Sequence, residues 1–260
     1  MLNPRNVPRR NLGFLTKAIA RADFKVRFND SILGYCWYLL KPLIFFAVLL
    51  VVFSQLMRFK GVDHYPLRLL IGIILWDFFS SGSLIGIESL SSKSSLLTKV
   101  YFPRSIIVLS GNITAALTLL FNLIVLAIFL AVCQISPSIH WLAFPLVLVP
   151  LELMLLGVSF ALGALKVFYG DVMHIWEVVV QIGFWATPII YPLAIVPEQY
   201  RKIIMLSPFA RCIEEARAIL IEGRWPDFSA LSLSLLISLI VFVLGYGIFV
   251  KQEPKFAEAL

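Results

Sequence analysis

The chain has 260 residues, of which 60% are hydrophobic and only 14% charged, with a formal net charge of +7. A soluble domain has about a quarter of its residues charged, so this apolar surplus excludes a water-solvated globule and makes lipid the solvent for much of the surface. The basic excess gathers in the first 41 positions, at Arg5, Arg9, Arg10, Lys17, Arg21, Lys25, Arg27 and Lys41. That is the distribution of a chain seated on a membrane surface, and no nucleic-acid partner is expected.

The N-terminal stretch is polar and basic and lacks an early apolar core, so no cleavable signal peptide is expected. Residues 14–28 carry helical periodicity. Leu15, Ala18, Ile19, Ala22 and Val26 form an apolar face, and Lys17, Arg21 and Lys25 recur one turn apart on another. A helix of this kind lies in the interface with its cations at lipid phosphates. Plain anchoring explains the pattern as well as a role in holding a lipid substrate.

Apolar windows follow at 39–57, 69–90, 105–133, 141–165, 173–191 and 231–250, each near the ~20 residues that a span needs. Barrel strands are shorter and alternate, so helices must satisfy the backbone in lipid. The expectation is an all-α polytopic membrane protein with about six transmembrane helices. It forms one domain over 1–260: an interfacial helix region at 1–34, the bundle of spans at 35–250 and a cytoplasmic tail at 251–260. With the N-terminus inside, Lys93, Lys99, Arg104, Lys166, Lys251 and Lys255 join the N-terminal cations on the cytoplasmic side. Arg58, Lys60, Arg68, Arg201, Lys202, Arg211, Arg217 and Arg224 fall outside, the last five matched by Glu198, Glu214, Glu215, Glu222 and Asp227. The bias favours both termini in the cytoplasm.

Asp77, Glu88, Glu152 and Glu177 lie in or at the ends of apolar runs, with Asn112, Asn122 and Gln181 nearby. Ionisable groups at membrane depth usually face a bundle interior or a wet path. Asp77 is the most central, in Trp76-Asp77-Phe78-Phe79 followed by Ser80-Ser81-Gly82-Ser83. It fits helix–helix hydrogen bonding, which the small residues would permit by close packing, as well as substrate contact. Either role puts its helix inside the bundle. On the fifth window Glu177, Gln181, Trp185 and Pro188 share a face at about 100° per residue, and Pro188 perturbs the helix near its end. Phe184, Trp185 and Tyr191 suit either an interfacial belt or a sugar path. Residues 191–227 are too long for a bare loop. Pro192, Pro197 and Pro208 punctuate them and residues 207–221 read as helix, so a short re-entrant helical hairpin is expected before the last span.

There is no Gly-x-x-x-x-Gly-Lys-Ser/Thr phosphate loop, so the chain is not expected to hydrolyse ATP by itself. Cys36, Cys133 and Cys212 are too scattered for a disulfide framework or zinc site, and His64, His140 and His174 are equally dispersed. No catalytic residue, metal or cofactor is expected on this chain.

Three motifs carry a family resemblance: Arg27-Phe28-x-Asp30-Ser31-Ile32-Leu33-Gly34-x-x-Trp37-x-x-Leu40-x-Pro42, Leu97-Thr98-Lys99-Val100-Tyr101-Phe102-Pro103-Arg104, and Gln181-x-x-Phe184-Trp185-x-Thr187-Pro188-Ile189-Ile190-Tyr191. In this order they resemble the permease subunits of ABC-2 polysaccharide exporters, which carry O-antigen, capsule and teichoic-acid chains. The family often has Arg-Asp where Gly170-Asp171 stands, so a basic gate contact is absent or supplied by Lys166. It often has Asn-Pro where Ser207-Pro208 stands.

The resemblance implies a homodimer in the cytoplasmic membrane with two ATPase subunits that bind the ATP and Mg. Leu97, Lys99, Val100, Tyr101 and Phe102 would lie in the coupling helix, and Lys166, Asp171 and His174 in a cytoplasmic gate. The substrate would be a lipid-linked glycan, its diphosphate near Arg21, Lys25 and Arg27. Tyr38, Trp76, Phe79, Phe184, Trp185 and Tyr191 would line the path. The alternatives are an ABC-2 permease for a drug or another lipid, and a membrane-embedded prenyl-linked glycan transferase, for which Asp77 and Glu152 lack metal-binding partners in sequence.

Overall fold

The computed structural model describes residues 13, 16, 18–22, 36–52, 63–94 and 103–256. Every regular element among them is helical. In chain order the helices are α1 (Cys36–Leu50), α2 (Tyr65–Ser92), α3 (Ser105–Val132), α4 (Phe144–Lys166), α5 (Val172–Ala186), α6 (Glu198–Ile204), α7 (Pro208–Leu220) and α8 (Phe228–Gln252). Short 3-10 turns at Ile139–Ala143 and Glu253–Lys255 extend α4 and α8.

The stretches Tyr65–Ser92, Ser105–Val132, Ile139–Lys166 and Phe228–Lys255 are long and apolar enough to cross a membrane, at 28 residues each. At 1.5 Å per residue that is about 42 Å, more than a hydrocarbon core of ~30 Å, so they have length to tilt. Helices α1 and α5 are apolar but 15 residues long in the described structure. The protein is therefore all-α and polytopic.

Helix α2 is the hub. It packs against α1, α3, α4, α5 and α7, and 72% of its apolar window is buried, against 33% for α3 and 22% for α8. Its buried serines and glycines explain how so many neighbours fit. A Cβ on Gly82 would stand 2.9 Å from both the Ala115 and Leu155 side chains, and one on Gly86 would collide with Ser159. Small residues of this kind let helix backbones approach in lipid, where no hydrophobic force drives helices together. The most extensive pairing is α4 with α8, crossing at Gly157 and Gly245. A Cβ on Gly157 would lie 2.7 Å from the Phe242 backbone nitrogen, and one on Gly245 would strike the Gly157 carbonyl.

Local chemistry sets the helix ends. Helix α3 stops with Gln134 at φ 58. The Gln134 and Ile135 amides donate to the Ala131 and Leu130 carbonyls, both at 3.0 Å, a left-handed cap that more often uses glycine. Asp227 caps α8 by accepting from the Ser229 amide at 2.9 Å and the Ala230 amide at 3.4 Å.

Two expectations change. Helix α5 stops at Ala186 instead of running on to residue 191. Thr187 is extended, at φ −89 and ψ 141, because the residue before a proline is pushed out of the helical region; Pro188 terminates the helix rather than perturbing it. The expected hairpin is two unequal helices. α6 buries none of its residues, whereas α7 is buried from Pro208 to Leu220 except at Glu214 and packs against α2, α4 and α8. Near the chain start, Ala20 is buried and Ile19 packs on the protein, while Ala18 and Ala22 point away. The apolar face of residues 18–22 is thus split between two surroundings.

Candidate functional site

A half-open groove of about 390 Å³ runs between α1, α2 and α5. Pro42 and Phe45 of α1 form one wall. Trp76, Asp77, Ser80 and Leu84 form the floor, and Glu177, Gln181, Phe184 and Trp185 form the wall opposite. Of the polar stripe read on the fifth window, Glu177, Gln181 and Trp185 line the groove, whereas Pro188 lies beyond the end of α5 and does not. Asp77 has its expected interior placement, since the helix that bears it is the bundle's hub. Two carboxylates, an amide and a hydroxyl therefore share one cavity with four aromatic rings.

The rings are held by one another. Phe184 packs against Phe45 at 5.4 Å, Trp76 at 6.2 Å and Trp185 at 5.6 Å between centroids, within the range of favourable offset and edge contacts. Gly183 admits the Trp76 indole, whose Cη2 would be 2.8 Å from an added Cβ. Phe79 stands one layer behind the groove, wedged between Phe209 at 4.2 Å and Trp176 at 6.1 Å. The Trp176 indole N–H donates to Ser83 Oγ at 2.8 Å. That bond ties α5 to α2 across helices. Asn112, by contrast, spends its amide N–H on the Val108 carbonyl of its own helix, at 2.9 Å.

A second cavity, of about 350 Å³, lies at the N-terminal end of α2. Tyr191 lines it, away from the groove, with its hydroxyl donating to the Ala186 carbonyl at 3.0 Å. Arg217 is buried beside it and was legible only as one charge among many. Its Nε and Nη2 donate to the Arg68 carbonyl at 3.1 and 2.9 Å, its Nη2 to the Ile189 carbonyl at 2.9 Å, and its Nη1 to the Pro188 carbonyl at 2.9 Å. Nη1 also meets Glu214 at 2.6 Å. The Tyr65 hydroxyl donates to the Ile190 carbonyl at 2.9 Å. Chain break, helix start and α7 are thereby fastened at one point.

Glu222 closes the same end, accepting from Arg68 Nη2 at 2.6 Å and Arg224 Nε at 2.8 Å. Burial pushes its carboxyl pKa up, but the hydrogen bonds and charges of the two guanidiniums outweigh burial and hold it below the ordinary 4.5. A depressed folded pKa means that the clamp stabilises fully above the ordinary value and is lost as pH falls through the lower folded one. Thermal melting in detergent is therefore expected to weaken as pH drops below 4.5. Glu222→Gln should flatten that acid limb, and an unchanged limb would refute the clamp's contribution.

The remaining predicted residues are distributed as follows. Lys166 approaches Glu88 at 4.0 Å, His174 Nδ1 lies 3.5 Å from Glu177, and Asp171 is exposed just before α5. Arg21 is exposed. Tyr38 belongs to α1, but its side chain is outside the described structure. Lys25, Arg27, Leu97, Lys99, Val100, Tyr101 and Phe102 lie outside the described residues.

A polytopic helical bundle with a polar, aromatic groove along its central helix has the architecture of a membrane permease. The chain belongs to the ABC-2 type transporter family, which it matches over residues 15–221. It is similar to an O-antigen export system permease protein of Klebsiella pneumoniae, with 30% identity over 254 residues covering 96% of this chain and 97% of the relative. The corresponding permease of Myxococcus xanthus is 28% identical over 95% of each chain. A polysialic acid transport protein of Escherichia coli is 23% identical over 91% of this chain and 93% of its own.

Proposed function

We propose that this chain is the membrane subunit of an ATP-driven exporter that moves a lipid-linked polysaccharide across the cytoplasmic membrane. The observation that carries the substrate reading is the groove's lining. Rings can slide over the C–H faces of sugars, while Asp77, Ser80, Glu177 and Gln181 exchange hydrogen bonds with hydroxyls. Such a surface suits a neutral, polyhydroxylated chain better than an apolar drug. Relatives that cover nearly the whole chain are named for O-antigen export and polysialic acid transport, which supports a polysaccharide cargo; polysialic acid is a polyanion, so the preference for a neutral chain rests on the groove's lining alone.

The groove is open along one side, half of a conduit. A second copy facing it across α1 and α5 would complete the enclosure, so the working unit is a homodimer with about six spans per copy. Two separate ATPase subunits supply the energy, as family membership and the missing phosphate loop imply. They dock on the cytoplasmic side, where both termini lie, through Leu97, Lys99, Val100, Tyr101 and Phe102. Arg21, Lys25 and Arg27 hold the lipid diphosphate at the inner interface. Lys166, Asp171 and His174 form the cytoplasmic gate, with the Lys166–Glu88 contact as its closed-state tie. Tyr38, Trp76, Phe184 and Trp185 line the path, Phe79 supports it from behind, and Tyr191 stands at its far end.

Deleting the chain should abolish surface glycan and leave lipid-linked polymer in the cytoplasm. Normal surface glycan would transfer the reading to another cargo, such as a drug or a different lipid. Within the path, Trp185 is the informative residue. It is 56% exposed, so Trp185→Ala empties no core. Export should fall about threefold to tenfold, matching the ~0.5–1.5 kcal/mol that an aromatic contact contributes. Pulse-labelled surface glycan measures this, and wild-type export would remove Trp185 from the path.

A further inference from the structure

Residues 251–256 pack against the bundle through Phe256. After α8 the Glu253–Lys255 turn carries the helical path on by one turn, and Phe256 is 0% exposed. Its ring packs on Phe249 at 5.6 Å and on Phe168 at 6.0 Å, and the Arg104 guanidinium lies over it at 5.7 Å. The Arg104 amide donates to the Glu253 carboxylate at 3.3 Å, and its Nη1 donates to the Glu253 carbonyl. Leu90 of α2, Ile106 and Ile107 of α3, and Ile19 from the N-terminal segment join the same apolar cluster.

What matters is which parts this cluster connects. Arg104 directly follows the proposed ATPase-coupling segment and leads into α3. Phe168 sits in the α4–α5 connection, within the proposed gate. Phe256 is the side chain between them, touching both. Elements that must move together are coupled by contiguous packed side chains rather than by proximity alone, and the Phe256 ring meets Arg104, Phe168 and Phe249 in one such contact chain.

We propose that Phe256 is a positioning residue for energy coupling: with Glu253, it fastens Arg104 to the Phe168 loop so that displacement of the coupling segment moves the gate. This rests on the exporter reading above, and it assigns the tail a role in transmission and none in substrate contact.

The test uses the whole complex, this chain coexpressed with its ATPase in cells lacking both native subunits. Three quantities are read: ATPase copurified per permease, ATP hydrolysed by the complex in lipid, and glycan reaching the surface. Phe256→Ala should leave assembly and hydrolysis near wild type and lower the glycan exported per ATP by about fivefold or more, the span of a typical coupling energy. Phe256→Tyr, which keeps the ring beneath Arg104, should restore the ratio. An unchanged ratio in Phe256→Ala overturns the proposal, as does a loss of export that only tracks a loss of complex. Should Phe256→Ala fail to assemble, Arg104→Gln decides by the same ratio: a fall supports the strut and a wild-type value overturns it. A wild-type complex that exports no glycan overturns the exporter reading itself, and the tail's role falls with it.

Discussion

Gly157→Val is expected to cost about 3 kcal/mol or more and to prevent accumulation of folded protein, at the upper end of what overpacking does. The reason lies in what the new side chain meets. A Cβ at Gly157 would be 2.7 Å from the Phe242 nitrogen and Cα. These are backbone atoms of α8, so no rotamer change can make room. Helices α4 and α8 would have to separate along the most extensive helix pairing in the structure, and in lipid little but packing holds them together. Gly245→Val meets the reciprocal obstacle, the Gly157 carbonyl, and should be as severe. Gly247 is the internal control, two residues further on the same helix, with nothing within 4 Å of an added Cβ. Gly247→Ala should melt at or slightly above the wild-type temperature, since alanine is the better helix former. Thermal unfolding of the detergent-purified variants checks all three. Equal melting of Gly157→Val and Gly247→Ala would show that the crossing is looser than the structure has it.

Arg217→Ala should be nearly as damaging, by about 3–5 kcal/mol, the usual cost of breaking a buried ion pair from one side. Its guanidinium serves the carbonyls of Arg68, Pro188 and Ile189 together with Glu214. Removing it strands the Pro188 and Ile189 carbonyls and the Glu214 carboxylate, and the unmet groups cost more than the lost bonds contributed. Arg217→Lys should rescue little, because one ammonium has three donors and no planar fork to span these acceptors. The damage should also be local in a telling way. The break after α5 would lose its tie to α7, so limited proteolysis should begin cutting around residues 187–197. A variant that melts like wild type and resists cleavage there would show that Tyr65 and Trp176 suffice to hold α5.

That anchoring bears on function because the groove depends on α5 staying in place. The described α5 buries only Val180 and Phe184, few contacts for a helix that forms a whole wall. At one end Arg217 holds the turn that follows it. Near its start Trp176 bonds Ser83. Ahead of the connection that leads into it, Lys166 at the end of α4 meets Glu88 of α2. A wall packed this lightly keeps its position through these few contacts, which is why the loss of one of them is expected to be felt in the groove.

Much of this was legible in order along the chain. Apolar runs marked the spans, and the helical period of Glu177, Gln181 and Trp185 marked a wet face, because side-chain direction in a helix depends only on spacing. Asp77 among serines and glycine placed α2 inside, since a carboxylate there has nowhere else to go. Other details of the surroundings were not legible, for one shared reason. Spacing gives directions around a single helix axis but not which neighbour covers each direction. Phe79 lies close to Trp76 on α2, yet Phe209 of α7 covers it. Tyr191 was counted with the fifth span, but Pro188 had already ended that helix. Nothing in the residue string pairs Gly157 with Gly245 or Phe256 with Arg104, and Arg217 resembled a solvated charge because most of its partners are backbone carbonyls, two of them freed by the break at Thr187.

The membrane setting, the all-helical class and the family were thus determined by the sequence alone, because composition, period and short motifs are local properties that survive without knowledge of any contact. Only the tertiary structure decided which rings share the groove, which glycines permit a crossing and which buried cation ties the ends together. Those outcomes come from close packing between segments far apart in the chain, and packing is a property of pairs of surfaces that no single stretch of residues contains.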